Sequence, residues 1–167
     1  QANSSLVTGI GTMSASKFKR IKYAGNLTGN GSRNIIAFKG DEHWEVYKWN
    51  DTDNQWVNIT VGNSTTLSTG GDQTYAVANG FPNAAKNTIF RFNIGTDVRA
   101  YDYNGSNLME NSSLVVGMVD QGSNFDVDYG FNLTGNGTHN LIGKTEDSVD
   151  RLFEWNGTAW NNLTIVS

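Results

Sequence analysis

Apolar residues come in short alternating runs, cut at close intervals by clusters of Gly, Asn, Ser and Thr. In Trp44-Glu45-Val46-Tyr47-Lys48-Trp49, alternation puts Trp44, Val46 and Lys48 on one face and Glu45, Tyr47 and Trp49 on the other. Val98, Ala100 and Asp102 oppose Arg99, Tyr101 and Tyr103 in the same way. Such two-faced runs predict strands that meet neighbours on both sides. No window keeps the i, i+3, i+4, i+7 apolar spacing of a helix clear of Gly, Asn or Ser, so no helix is predicted. Asn104-Gly105 and Asn156-Gly157 predict tight hairpin turns, because both residue types accept positive φ. Asn50-Asp51-Thr52-Asp53 predicts a longer polar loop at the matching place.

The pattern repeats. Asn26, Asn30 and Asn34 form a ladder stepping by four, followed by Asn79, Asn83, Asn87 and by Asn132, Asn136, Asn140. Asn26-Leu27-Thr28-Gly29-Asn30-Gly31 recurs as Asn132-Leu133-Thr134-Gly135-Asn136-Gly137, and each runs into an apolar pair, Ile35-Ile36 and Leu141-Ile142. Gly9, Gly62 and Gly117 follow short apolar runs; Trp49, Tyr103 and Trp155 follow the ladders. The prediction is an all-β chain of three tandem four-stranded repeats of about 53 residues, over 6–58, 59–113 and 114–163, within a single domain. Residues 164–167 then start a further strand that would complete a neighbouring chain.

The nine-residue ladder, with oxygen side chains at its first, fifth and ninth positions, resembles the loop of FG-GAP or VCBS-type β-propeller repeats. The resemblance is good over Asn26–Ile36 and Asn132–Ile142, and in spacing alone over Asn79–Ile89, where Pro82 and Ala84 replace the glycines. It implies propeller-like blades, or an open β-repeat array since a closed propeller needs at least four blades. It also implies a calcium-binding loop and a role in adhesion or sugar binding. Asn26, Asn30, Asn34, Asn132, Asn136 and Asn140 are the corresponding candidate calcium ligands. Every family Asp is Asn here, which removes the ligand charge that calcium affinity depends on, so no cofactor is expected. Asx-turn hydrogen bonds are the expected work of these amides.

Asn-x-Ser/Thr occurs 12 times, at Asn3, Asn26, Asn30, Asn50, Asn58, Asn63, Asn104, Asn111, Asn132, Asn136, Asn156 and Asn162, where 22 Asn and 29 Ser plus Thr would give about four by chance. The excess points to N-glycosylation and an extracellular or cell-surface location. Asn26 and Asn30 are expected to turn inward, leaving the hairpin tips Asn50, Asn104 and Asn156 more accessible. The absence of a charged-then-apolar leader reads as a mature, processed chain.

Composition narrows the chemistry. The net charge is −4 and the basic residues cluster only at Lys17, Lys19, Arg20 and Lys22, which argues against nucleic acid or an anionic membrane as partner. No apolar run is long enough to span a membrane. Without Cys and with two distant His, thiolate and His-based metal chemistry lack their residues. Asp41-Glu42 and Glu146-Asp147 are adjacent pairs that point apart on turns, so no enzyme is expected. Trp49, Trp56, Tyr103, Trp155 and Trp160 recur near hairpins and are candidate sugar platforms, with packing between sheets as their other use. The leading expectation is a secreted, N-glycosylated structural or adhesive surface protein. It would assemble with itself into a filament or ring by strand completion between chains. The alternative is a propeller-type carbohydrate-binding lectin.

Overall fold

The structure is a computed structural model, and it describes residues 8–10, 18–39, 44–60, 73–82, 87–93, 97–103, 107–118, 126–144 and 150–163. It is all-β with three four-stranded sheets, each ordered as the chain runs. Sheet 1 holds β1 (Phe18–Gly25), β2 (Asn34–Lys39), β3 (Trp44–Asn50) and β4 (Gln55–Asn58). Sheet 2 holds β5 (Gln73–Asn79), β6 (Asn87–Asn93), β7 (Asp97–Tyr103) and β8 (Leu108–Glu110). Sheet 3 holds β9 (Asp126–Phe131), β10 (His139–Lys144), β11 (Asp150–Trp155) and β12 (Trp160–Asn162). The one helical segment among the described residues is a single 3₁₀ turn, Ser112–Val115. The chain divides into two compact units, Gln1–Thr69 with Tyr103–Leu108, and Gly70–Asp102 with Met109–Ser167.

Strand register defines which residues of the three copies correspond. Ile35 pairs with Tyr47, Ile89 with Tyr101 and Leu141 with Phe153, each shortly before Trp49, Tyr103 and Trp155. On that alignment Thr88, not Asn87, stands where Asn34 and Asn140 stand. The second ladder is therefore one residue out of structural step. Asn79 ends β5 instead of opening the loop. The even spacing of the rungs misled because the second copy redistributes a residue between strand and loop.

In unit 2, sheets 2 and 3 pack face to face. Sheet 2 supplies Ala76, Ala78, Phe90, Phe92 and Ala100; sheet 3 supplies Val127, Leu141, Phe153, Trp155 and Trp160. These are opposite faces of equivalent sheets, so each sheet can have one neighbour per face. Phe81, from the turn after β5, fills the centre. Its ring centroid lies 5.6 Å from Phe90, 5.2 Å from Trp155 and 5.3 Å from Trp160. His139 meets the edge of Phe81 at 5.1 Å, and its Nδ1 lies 2.6 Å from the Tyr129 hydroxyl. In unit 1, Ile10, Ile35, Ala37 and Tyr47 cluster with Trp56 packed against them, and Trp44 meets Tyr103 edge-on at 6.2 Å.

The fourth strands of sheets 1 and 3 end their sheets, and each makes a backbone bond outside its sheet to its own polypeptide. The Trp56 N–H donates to the Thr8 carbonyl and the Trp160 N–H to the Val116 carbonyl, both at 2.8 Å. Gly9 and Gly117 make this approach feasible. A Cβ would lie 2.0 Å from the Trp56 carbonyl oxygen at the first and 2.2 Å from that of Trp160 at the second. Residues 164–167, expected to complete a neighbouring chain, lie outside the described residues. The hairpin expected as a two-residue turn at Asn156-Gly157 is wider: Trp155 pairs with Trp160, and the Asn156 N–H donates to the Ala159 carbonyl at 3.0 Å. The Asn104-Gly105 turn lies outside the described residues.

Two predictions test this packing. Replacing Phe81 with Ala opens a cavity among rings that cannot collapse into it, and should cost about 3–5 kcal/mol by chemical denaturation. A loss near zero would contradict the central position of Phe81. Burial holds the His139 pKa below its ordinary 6.5. The unfolded chain therefore binds more protons near and below pH 6.5, so stability is greatest above that pH and falls as pH drops through it. NMR titration of the ring should give a midpoint under 6.5. A midpoint at or above that value would refute the buried environment.

Candidate functional site

The Asn loops are built from their own amides. In the first, the Asn26 Oδ1 accepts the Gly31 N–H at 2.7 Å, and the Asn30 Oδ1 accepts the Thr28 hydroxyl at 2.7 Å and the Ser32 N–H at 3.1 Å. The Asn34 Oδ1 accepts the Thr28 N–H at 3.3 Å. In the third loop, the Asn132 Oδ1 accepts the Gly137 N–H at 2.6 Å, Asn136 accepts the Thr134 hydroxyl at 2.8 Å, and Asn140 accepts the Leu133 N–H at 2.8 Å. Each of the six candidate calcium ligands thus turns its oxygen toward a donor of its own loop. A cation there would face N–H groups competing for the same lone pairs. No group of three or more His, Cys, Asp or Glu able to hold a metal occurs among the described residues.

The same chemistry explains much of the sequon excess. In Asn50-Asp51-Thr52, Asn58-Ile59-Thr60, Asn136-Gly137-Thr138 and Asn156-Gly157-Thr158, the N–H of the third residue meets the Asn oxygen at 2.9, 2.9, 3.2 and 3.0 Å. Asn30-Gly31-Ser32 does likewise, and at Asn111 the Ser113 hydroxyl takes the role at 2.6 Å. Asn-x-Ser/Thr is therefore also the recipe for these turns. Asn26, Asn30, Asn132 and Asn136 are exposed while Asn34 and Asn140 are buried, so the ladder turns inward only at its last rung. Asn156 and Asn162 are exposed and Asn50 is half-buried; Asn3, Asn63 and Asn104 lie outside the described residues.

The aromatic candidates separate into two groups. Trp155 and Trp160 are buried around Phe81, and the Trp160 Nε1–H donates to the Leu114 carbonyl at 2.8 Å. They serve packing and present no open platform. Tyr103 is half-buried against Trp44. Trp49 and Trp56 pair across β3 and β4 at 5.3 Å and are both half-buried.

A cleft of about 540 Å³ opens beside that hairpin in unit 1. Its walls are Asn30 and Ser32 of the first loop, Lys48–Thr52 of β3 and its turn, and Val57 and Ile59. Lys48 and Val57 face each other across the two strands on the face opposite the Trp49–Trp56 pair. The third copy differs at this place. There Glu154, at the place of Lys48, accepts the Thr134 hydroxyl at 2.7 Å and ties loop to strand, and that bond holds its carboxyl below the ordinary range. A Lys ammonium has no lone pair to accept with, so Lys48 cannot make the tie to Thr28 that Glu154 makes to Thr134; the bond from the Thr hydroxyl to the middle Asn is common to both loops. The Asn50 Nδ2 donates to Asp53 at 2.7 Å, and Arg33 lies 3.7 Å from Asp51 in an exposed pair worth little by itself. The cleft thus offers amide and hydroxyl groups, one cation, one carboxylate and the aliphatic side chains of Val57 and Ile59. Sequence reasoning singled out Trp49 and Asn30 but missed Lys48 and Asp51. The contrast of Lys48 with Glu154 was the signal available.

Asp41-Glu42, His43 and Glu146-Asp147 lie outside the described residues. No family model matches the chain, and none of the curated proteins matches it. Among solved structures it is similar to a fucose lectin from Kordia zhangzhouensis in complex with methyl-fucoside, with 13% identity over 83% of this chain and 95% of that one and a TM-score of 0.49.

The loop geometry predicts indifference to calcium. A specific site at a hundred times its Kd would add about 2.7 kcal/mol of stability. Calcium titration with thermal unfolding should instead leave the melting temperature unchanged, as should a chelator. A saturable rise abolished by Asn30→Ala would overturn this reading.

Proposed function

We propose that this chain is a non-enzymatic carbohydrate-binding β-repeat protein whose sugar site is the sheet 1 cleft. One observation carries the reading: amides, hydroxyls, an ammonium and a carboxylate converge beside Val57 and Ile59 in an open concavity at the β3–β4 hairpin. Sugars present hydroxyls that both donate and accept, and C–H faces that pack on apolar side chains. Asn30 and Asn50 supply amides, Ser32 and Thr52 supply hydroxyls, Lys48 donates, Asp51 accepts, and Val57 and Ile59 supply an apolar wall. The cleft's volume suits a short glycan.

Strand completion between chains, the leading expectation from the sequence, would have to accommodate the bonds that the Trp56 and Trp160 N–H groups make to Thr8 and Val116. The carbohydrate reading does not depend on those bonds.

A glycan array probed with the multivalently displayed protein should give a restricted set of hits, since clustering raises weak affinities into range. Lys48→Ala and Asp51→Ala should each weaken the best hit roughly tenfold, equivalent to about 1.4 kcal/mol, with unchanged thermal stability. An array without hits, or hits indifferent to both substitutions, would refute the assignment.

A further inference from the structure

An Asn side chain can react with its own backbone where glycine follows it, because glycine leaves the next nitrogen unshielded. Three described turns carry that pair with a hydroxyl residue after it: Asn30-Gly31-Ser32, Asn136-Gly137-Thr138 and Asn156-Gly157-Thr158. Asn104-Gly105 lies outside the described residues. The three are alike in access. Each Asn is exposed, and a Cβ at Gly31, Gly137 or Gly157 would meet nothing within 4 Å.

They are alike also at the side-chain oxygen. The Asn156 Oδ1 accepts the Thr158 N–H and hydroxyl, both at 3.0 Å, and the Ala159 N–H at 2.9 Å. The Asn136 Oδ1 accepts the Thr134 hydroxyl at 2.8 Å and the Thr138 N–H and hydroxyl at 3.2 and 2.6 Å. Asn30 accepts from Thr28 and twice from Ser32. Such donors stabilise the charge that develops on a carbonyl oxygen under attack. The difference lies at the attacking nitrogen. The Gly31 N–H donates to the Asn26 Oδ1 at 2.7 Å, and the Gly137 N–H to the Asn132 Oδ1 at 2.6 Å. The Gly157 N–H has no acceptor among the described residues.

We infer that Asn156 is a site of spontaneous deamidation, and that Asn26 and Asn132, the first rungs of their ladders, guard Asn30 and Asn136 from the same reaction. The Gly157 nitrogen gives up its proton to solvent base and attacks the Asn156 Cγ. A Cγ–N bond forms to the backbone, the Cγ–N bond of the side chain breaks, and the amine takes up a proton and leaves as ammonia. Water then opens the five-membered imide at either carbonyl, giving Asp or its β-linked isomer. The product adds one negative charge to the turn between β11 and β12. That hairpin carries Trp155 and Trp160 against Phe81, so the reaction ages a support of the unit 2 core.

Peptide mass spectrometry on the folded full chain, incubated in mildly alkaline buffer, should find conversion of amide to acid roughly tenfold faster at Asn156 than at Asn30 or Asn136, since an ordinary hydrogen bond must break before either guarded nitrogen reacts. In denaturant the three rates should converge. Asn132 has a φ of 58°, so Asn132→Gly keeps the backbone conformation while removing the acceptor. It should bring Asn136 to the rate of Asn156, whereas Asn132→Asp, which keeps an acceptor for the Gly137 N–H, should leave Asn136 slow. No sugar enters the readout, so the result is independent of the carbohydrate assignment. Equal rates at the three sites in the folded chain, or an Asn136 that stays slow in Asn132→Gly, would overturn the inference.

Discussion

A four-stranded sheet with apolar residues on both faces must be covered twice, and the remaining features follow from that constraint. Phe81 is where it is met most fully. One phenyl ring from a turn fills the space between Phe90 below it and the Trp155–Trp160 pair above it. Burying a ring of this size on several sides stabilises far more than any surface pair in the molecule, since the Arg33–Asp51 and Arg99–Glu110 bridges are both substantially solvated. The chain holds its sheets with ring-on-ring contact between faces, and uses hydrogen bonds mainly to shape the turns.

The turns follow a second rule. With few charges and no cysteine, loop order comes from asparagine. Its short amide reaches N–H groups two to five residues on and six or seven residues back, and glycines such as Gly31 and Gly137 supply the positive φ that lets the loop close. The copies also differ beside these loops. At Thr134 and Glu154 a hydroxyl and a carboxylate tie loop to strand. Sheet 1 carries Lys48 at the equivalent place, which lines the candidate cleft.

Most of the architecture was legible in the residues. The alternation at Trp44–Trp49 placed its side chains on the faces that β3 shows, and the recurring hexapeptide at Asn26 and Asn132 located two equivalent loops. Three things were not legible, each for a physical reason. The second ladder slipped by one because an Asn at a strand end and an Asn in a loop look alike until pairing is known. The bonds from Trp56 to Thr8 and from Trp160 to Val116 join residues far apart in sequence, and spacing carries no record of such bonds. The division of tryptophans depends on which sheet face has a neighbour: Trp155 and Trp160 are core, while their equivalents Trp49 and Trp56 are half-open. Composition could count the indoles but not assign them.

Native-state hydrogen exchange, followed residue by residue, tests the packing claim most directly. If the aromatic layer joins sheets 2 and 3 into one cooperative body, amides in β6 and β10 should share the highest opening free energy and exchange together at every denaturant concentration. Separate opening of the two sheets, with β6 exchanging while β10 stays protected, would show that each stands alone and that Phe81 is a bystander.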